Sequence, residues 1–106
     1  MSTVSSLLSS LRTVSPGLIV RMNVCSGCWD DVTDVFVIET DDGPVVGLSS
    51  AAGDALTVRE LITKLEKRGP TLEVQLHFDT GCLADIEGTF TNEDAFVLSD
   101  QDWFQG

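Results

Sequence analysis

Four side chains in this sequence are of the types best suited to metal or redox chemistry: Cys25 and Cys28 in the run CSGC, and His77 and Cys82 further along. A C-x-x-C pair can act as a redox dithiol or supply half of a zinc site. The dithiol reading is weak on two counts. A low-pKa thiolate usually sits at a helix N-terminus, whereas this run leads toward a strand, and Asp30 and Asp31 bring negative charge that raises a thiol pKa. Zinc offers a closed alternative, in which the thiolates of Cys25, Cys28 and Cys82 and the imidazole of His77 make a structural site. The favoured expectation is plainer: no cofactor, and cysteines that are ordinary buried or half-buried side chains.

His77 is the only histidine, so imidazole acid–base chemistry would have to use it. No motif ties a serine or an acid to it, and its phase with Glu73 and Gln75 puts it on the wetter side of a strand. The carboxylates of Asp30, Asp31, Asp34, Asp41 and Asp42 lack the ligand spacing of an EF-hand loop. Nothing marks a nucleophile, base and orienter together, and no glycine loop is built to cradle phosphate. An enzyme is the least favoured class.

Charge points elsewhere. There are 17 acidic residues against 6 Lys plus Arg, a formal net charge of -11 at pH 7. Arg59, Lys64, Lys67 and Arg68 lie in one short stretch, and no cation follows Arg68. Such a surface repels nucleic acid phosphates and anionic lipid, and it favours a protein partner with a basic face. The contact residues expected are Asp30, Asp31, Asp34, Asp41, Asp42, Glu87, Glu93 and Asp94. Trp103 and Phe104, in the tail 100–106, are either anchors for that partner or covers for the core. No apolar run is long enough to cross a bilayer, and the first residues lack a secretion signal. With an odd, small number of cysteines, a cytoplasmic monomer or homodimer is expected.

The elements that position these residues read as one unit written twice. A shift of 54 residues, the separation of Thr3 from Thr57, also superposes Val4 on Val58, Leu7 on Leu61, Leu11 on Leu65 and Pro16 on Pro70. The match continues through Leu18 and Leu72, Val20 and Val74, Gly27 and Gly81, Cys28 and Cys82, Asp31 and Asp85, and Phe36 and Phe90. Later the shift falls to 50, pairing Leu48 with Leu98 and Ser49 with Ser99. Repeats of this kind bury a hydrophobic face against each other.

Each copy opens with a helix. Thr57 and Glu60 have capping-box spacing, and Val58, Leu61, Ile62 and Leu65 form an apolar stripe. Thr3 caps the other helix, whose stripe is Val4, Leu7, Leu8 and Leu11; its serines make it weaker by propensity. Period-two strands follow, Leu18 to Val24 and Leu72 to Phe78, then Val32 to Glu39 and Val45 to Leu48, and Ala84 to Thr91 and Ala95 to Leu98. The expected fold is α+β: a duplicated α-β-β-β unit, a predominantly antiparallel sheet or two small sheets, two covering helices and a pseudo-twofold axis. Repeats 3–49 and 57–99, joined by 50–56, should share one core, because either alone would bury too little surface.

The stretch TVRELITKLEKRGPTLEVQLHFD, within a match spanning Leu56 to Leu98, resembles small bacterial and phage proteins with a TV-x-E-L-I helix, a proline-containing turn and a following strand. The resemblance implies a fold signature and a phage or mobile-element setting, and it carries no catalytic residues. The function expected is a non-enzymatic acidic module that docks on a basic face of a partner protein, by nucleic-acid mimicry in one version. A zinc-stabilised structural module is the alternative.

Overall fold

The computed structural model describes residues 2–24, 28–50, 53–77, 83–92 and 94–100. In chain order the elements are β1 (Ser2–Thr3), α1 (Val4–Leu11), β2 (Ile19–Val24), β3 (Cys28–Asp31), β4 (Asp34–Thr40), β5 (Gly43–Ser49), α2 (Val58–Leu65), β6 (Glu73–His77), β7 (Leu83–Asp85), β8 (Gly88–Asn92) and β9 (Ala95–Ser99).

Both helices start on reciprocal caps. The Thr57 hydroxyl accepts from the Glu60 N–H at 3.2 Å while the Glu60 carboxylate accepts from the Thr57 N–H at 3.0 Å. At α1 two hydroxyls do the same work: Thr3 Oγ1 accepts from the Ser6 N–H at 3.2 Å, and Ser6 Oγ from the Thr3 N–H at 2.9 Å. The cap thus satisfies helix donors that otherwise have no intrahelical partner. The stripes Val4, Leu7, Leu8, Leu11 and Val58, Leu61, Leu65 are buried, and Ile62 packs against them half-buried.

Two mixed sheets carry the fold. One runs β1-β6-β5-β4, with β7 also paired to β6; the other runs β3-β2-β9-β8. Antiparallel ladders predominate, but a parallel pair lies inside each sheet, β5 beside β6 and β2 beside β9. The strand read from sequence as Val32 to Glu39 begins only at Asp34, as β4, with Val32 and Thr33 linking it to β3, and the one read as Ala84 to Thr91 is divided into β7 and β8. The Val32 N–H donates to Val20 O at 3.0 Å in one sheet, and the next amide, Thr33, donates to Ser49 O at 2.8 Å in the other. The chain therefore changes sheets between two residues. Period-two hydrophobicity could not show the break, since Val32 and Ile86 stay buried as the direction turns.

Because of that crossing, each sheet combines strands from both parts of the chain. Val20, Met22 and Leu98 from one sheet join Val46, Leu48, Val74 and Leu76 from the other, and the helix stripes, in one buried cluster. The contacts recur at the spacings seen in the sequence. Val4 N–H donates to Leu72 O at 2.9 Å and Val58 N–H to Leu18 O at 2.8 Å. Val46 lies opposite Val74 as Phe96 lies opposite Val20, and Leu48 opposite Leu76 as Leu98 opposite Met22.

Candidate interaction surface

Strand alternation sends one set of side chains into the core and the other to the outer face of each sheet. On the outer face of the four-stranded sheet, Arg21 and Trp29 come from β2 and β3, and Phe90 and Val97 from β8 and β9. Trp29 and Phe90 meet edge-on with ring centroids 6.2 Å apart. The Arg21 guanidinium lies 5.6 Å from the Trp29 ring centroid, and its Nε donates to Asp31 Oδ1 at 3.1 Å. These contacts hold Trp29 in place while 42% of it stays exposed. Val97 beneath is fully buried.

Asn23 and Ser99, also on this face, are fully buried, and the Ser99 hydroxyl donates to Asn23 Oδ1 at 3.5 Å. The Asn23 amide nitrogen has no hydrogen-bond partner among the described residues.

On the other sheet the corresponding face holds Phe36, Ile38, Gly47, Gln75 and His77. Phe36 and His77 stand edge-on with centroids 5.3 Å apart, so the half-buried imidazole packs against a ring. Register sets Asp34 opposite Ser49 and Ser49 opposite His77, an acid, a hydroxyl and an imidazole in one row. The order is wrong for nucleophilic catalysis, which needs the imidazole between the serine and the acid. Asp34 is also engaged elsewhere: its Oδ1 accepts from the Val35 N–H at 2.8 Å and lies 4.0 Å from Lys64 Nζ.

The acidic residues read from sequence do not form one cluster. Asp30 and Asp31 are half-buried on edge strand β3, and Asp30 Oδ1 accepts from the Asp31 N–H at 2.9 Å. Asp34 opens β4 in the other sheet, while Asp41 and Asp42 lie exposed at the far end of the β4–β5 hairpin, about 20 Å of strand away. Glu87 is exposed between β7 and β8, and Asp94 is exposed beside β9. Cys25, Cys82, Glu93, Trp103 and Phe104 lie outside the described residues, as does the side chain of Cys28. Among the described residues no group of three or more His, Cys, Asp or Glu is placed to hold a metal.

The cations are segregated. Arg59 and Lys64 lie on α2, Lys67 and Arg68 follow it, and Arg12 caps α1 and pairs with Glu66 at 3.2 Å. Arg21 is the one cation on a sheet, and Asp31 and Trp29 hold it. Surface hollows are open grooves, one of about 330 Å³ between α1 and the start of β8 and one of about 480 Å³ beside Asp42 and Glu73. Among the described residues no helix is long and apolar enough to cross a membrane.

Sequence reasoning missed Trp29, Arg21 and Phe90 as a set. Their contact depends on β3 folding back on β2 and on β8 reaching the same sheet through β9, and no local spacing encodes that. A scan of protein-family models, a search of curated proteins and a search of solved structures each find no match to this chain.

Proposed function

We propose that this chain is a non-enzymatic interaction module, made of two copies of one unit about a pseudo-twofold axis, whose acidic sheet side docks on a basic face of a partner protein. The observation that carries this reading is the segregation of charge. Five of the six cations lie on or beside the helices, and the sixth is tied to a carboxylate. The sheet edges and the hairpin end with Asp41 and Asp42 therefore meet a partner with little positive charge to compete. Trp29 adds a rigid aromatic surface of the kind that anchors protein interfaces. Recurrence of strand register and helix-entry bonds at the sequence shifts of 54 and 50 supports the duplication.

A nucleic-acid-binding partner suits this surface best, because its basic channel complements a folded acidic protein. The resemblance of the second half to bacterial and phage proteins gives that reading a phage or mobile-element setting in the cytoplasm. The test is recovery of partners on the immobilised chain at low and moderate salt, beside a variant carrying Asp41→Lys, Asp42→Lys, Glu87→Lys and Asp94→Lys. Retention of a basic protein should weaken with salt, weaken in the variant and be competed by nucleic acid. Binding indifferent to salt and to charge reversal would rule the mechanism out.

A further inference from the structure

The free edge of β4 is the strongest unassigned feature. β4 spans Asp34 to Thr40 and pairs along one side with β5; among the described residues nothing pairs along its other side. Which backbone groups face that open side follows from one residue. Glu39 lies opposite Pro44, which has no N–H, so that pair cannot exchange two hydrogen bonds. Alternation then makes Phe36 and Ile38 the residues bonded to β5, and turns the amides and carbonyls of Val35, Val37 and Glu39 outward. Val35 agrees independently: its N–H is taken by the Asp34 carboxylate.

Side chains make the edge adhesive as well as open. Val37 is 39% exposed, one of two large hydrophobics on the surface among the described residues, alongside Trp29. Phe36 and Ile38 lie half-buried on the opposite face of the same strand. Natural edges are commonly blunted by lysine, proline or a covering element. Here the residues from Asp34 to Glu39 are all apolar or acidic, and the nearby cation, Lys64, sits at the Asp34 end. Glu39, Asp41 and Asp42 leave the other end negative. The corresponding strand β8 presents Thr89 and Thr91 where β4 has Val35 and Val37, so only one of the two edges has this character.

We infer that β4 receives an extended, basic segment of the partner protein as an added antiparallel or parallel strand. Main-chain bonds at Val37 and Glu39 give affinity, apolar side chains of the segment cover Val37, Phe36 and Ile38, and its Lys or Arg side chains meet Glu39, Asp41 and Asp42. Charge selects the occupant: a second copy would bring Glu39 and the Asp41–Asp42 turn of another chain of net charge -11 to the same edge. This inference rests on the acidic-docking reading and names its contact.

The probe is a synthetic octapeptide alternating lysine and valine, titrated against the whole chain by calorimetry and by amide NMR. Binding should protect the Val37 and Glu39 amides from hydrogen exchange. Peptides N-methylated on one alternate set of amides should lose about tenfold or more in affinity, and those methylated on the other set should not. Val37→Pro should abolish binding with the fold retained, since its N–H is not used by β5, and Thr91→Pro on β8 should leave binding unchanged. Equal affinity for all methylated peptides and for V37P overturns the edge while leaving salt-dependent acidic docking standing. No binding of the probe, with basic proteins still retained in a salt-dependent way, also overturns it. A dimer that V37P converts to monomer gives the edge to a second copy and overturns the basic occupant.

Discussion

Several residues 54 apart in the chain make like backbone contacts, Val4 to Leu72 and Val58 to Leu18 among them, yet their neighbours differ wherever side chains leave the core. Lys64 and Asp34 approach to 4.0 Å between α2 and β4, whereas Ser10 and Gly88 stand in those places beside α1 and β8, where the 330 Å³ groove opens. Arg21 holds Asp31 at 3.1 Å, whereas Gln75 reaches Asp85 only at 3.5 Å. Phe90 lies opposite Val97, whereas Phe36 lies over Gly47. The buried partners barely change: Leu61 and Leu7, Val74 and Val20, Leu76 and Met22. Packing constrains the inward half of each strand and helix, and the outward half is free to acquire charge, rings or gaps.

The broadest way to break that comparison is through the shared interior. Leu61→Ala and Leu7→Ala should each destabilise the protein by about 2–5 kcal/mol, because both side chains are essentially buried and leave a cavity. Denaturant unfolding followed by circular dichroism should show one transition for both variants. Two separated transitions, with only one moved by each substitution, would mean that the halves carry independent cores.

The inward half is also the part that sequence made legible. Period-3.6 stripes marked Val4 to Leu11 and Val58 to Leu65, and alternation marked the buried Val20, Met22, Val74 and Leu76. What stayed hidden was the exchange of strands between sheets. Val32 and Ile86 satisfy the hydrophobic pattern equally well in one long strand or at a crossing between two, and only the backbone bonds of Val32 and Thr33 to different sheets distinguish them. The acidic surface was legible as charge but not as geometry. Asp31 and Asp34, three residues apart, belong to different sheets, and the Arg21–Trp29–Phe90 contact joins strands that are distant in sequence.

Gly47 sharpens the contrast between the outer faces. A Cβ there would lie 2.9 Å from Phe36 Cζ and 3.0 Å from Ile38 Cδ1, so the ring occupies the space that Val97 fills on the other sheet. Gly47→Val should cost about 1–3 kcal/mol through overpacking. Phe36→Leu introduced beside it should recover part of that loss, measured as non-additivity in a double-mutant cycle. Full additivity would show that the ring does not oppose the new side chain.

A smaller effect belongs to Arg21. Replacing it with glutamine, the residue at the corresponding position 75, removes an ion pair whose partners are both more than a third exposed and a cation facing Trp29. The expected loss is about 0.5–1 kcal/mol, with a shift in Trp29 fluorescence. Unchanged emission would mean that Arg21 does not fix the ring.

The smallest difference is chemical: one capping box titrates and the other does not. The Thr57 backbone N–H and then its hydroxyl hold the Glu60 carboxyl below its ordinary value of 4.5, with a lesser contribution from Lys64. A carboxylate whose folded pKa is lowered stabilises the fold above its unfolded pKa, and that contribution is lost as pH falls through the folded one. At α1 the reaching-back group is the Ser6 hydroxyl, which has no titration in this range. Between about pH 5 and pH 3, the Thr57 amide resonance should therefore move with a midpoint below 4.5 while the Thr3 amide shows no such step. Glu60→Gln should keep the hydrogen bond and remove the step, because glutamine can fill the same place in the box. A midpoint at or above 4.5, or an equal step at Thr3, would show that the carboxylate does not cap α2 in solution as it does here, and the two helix starts would lose their chemical distinction.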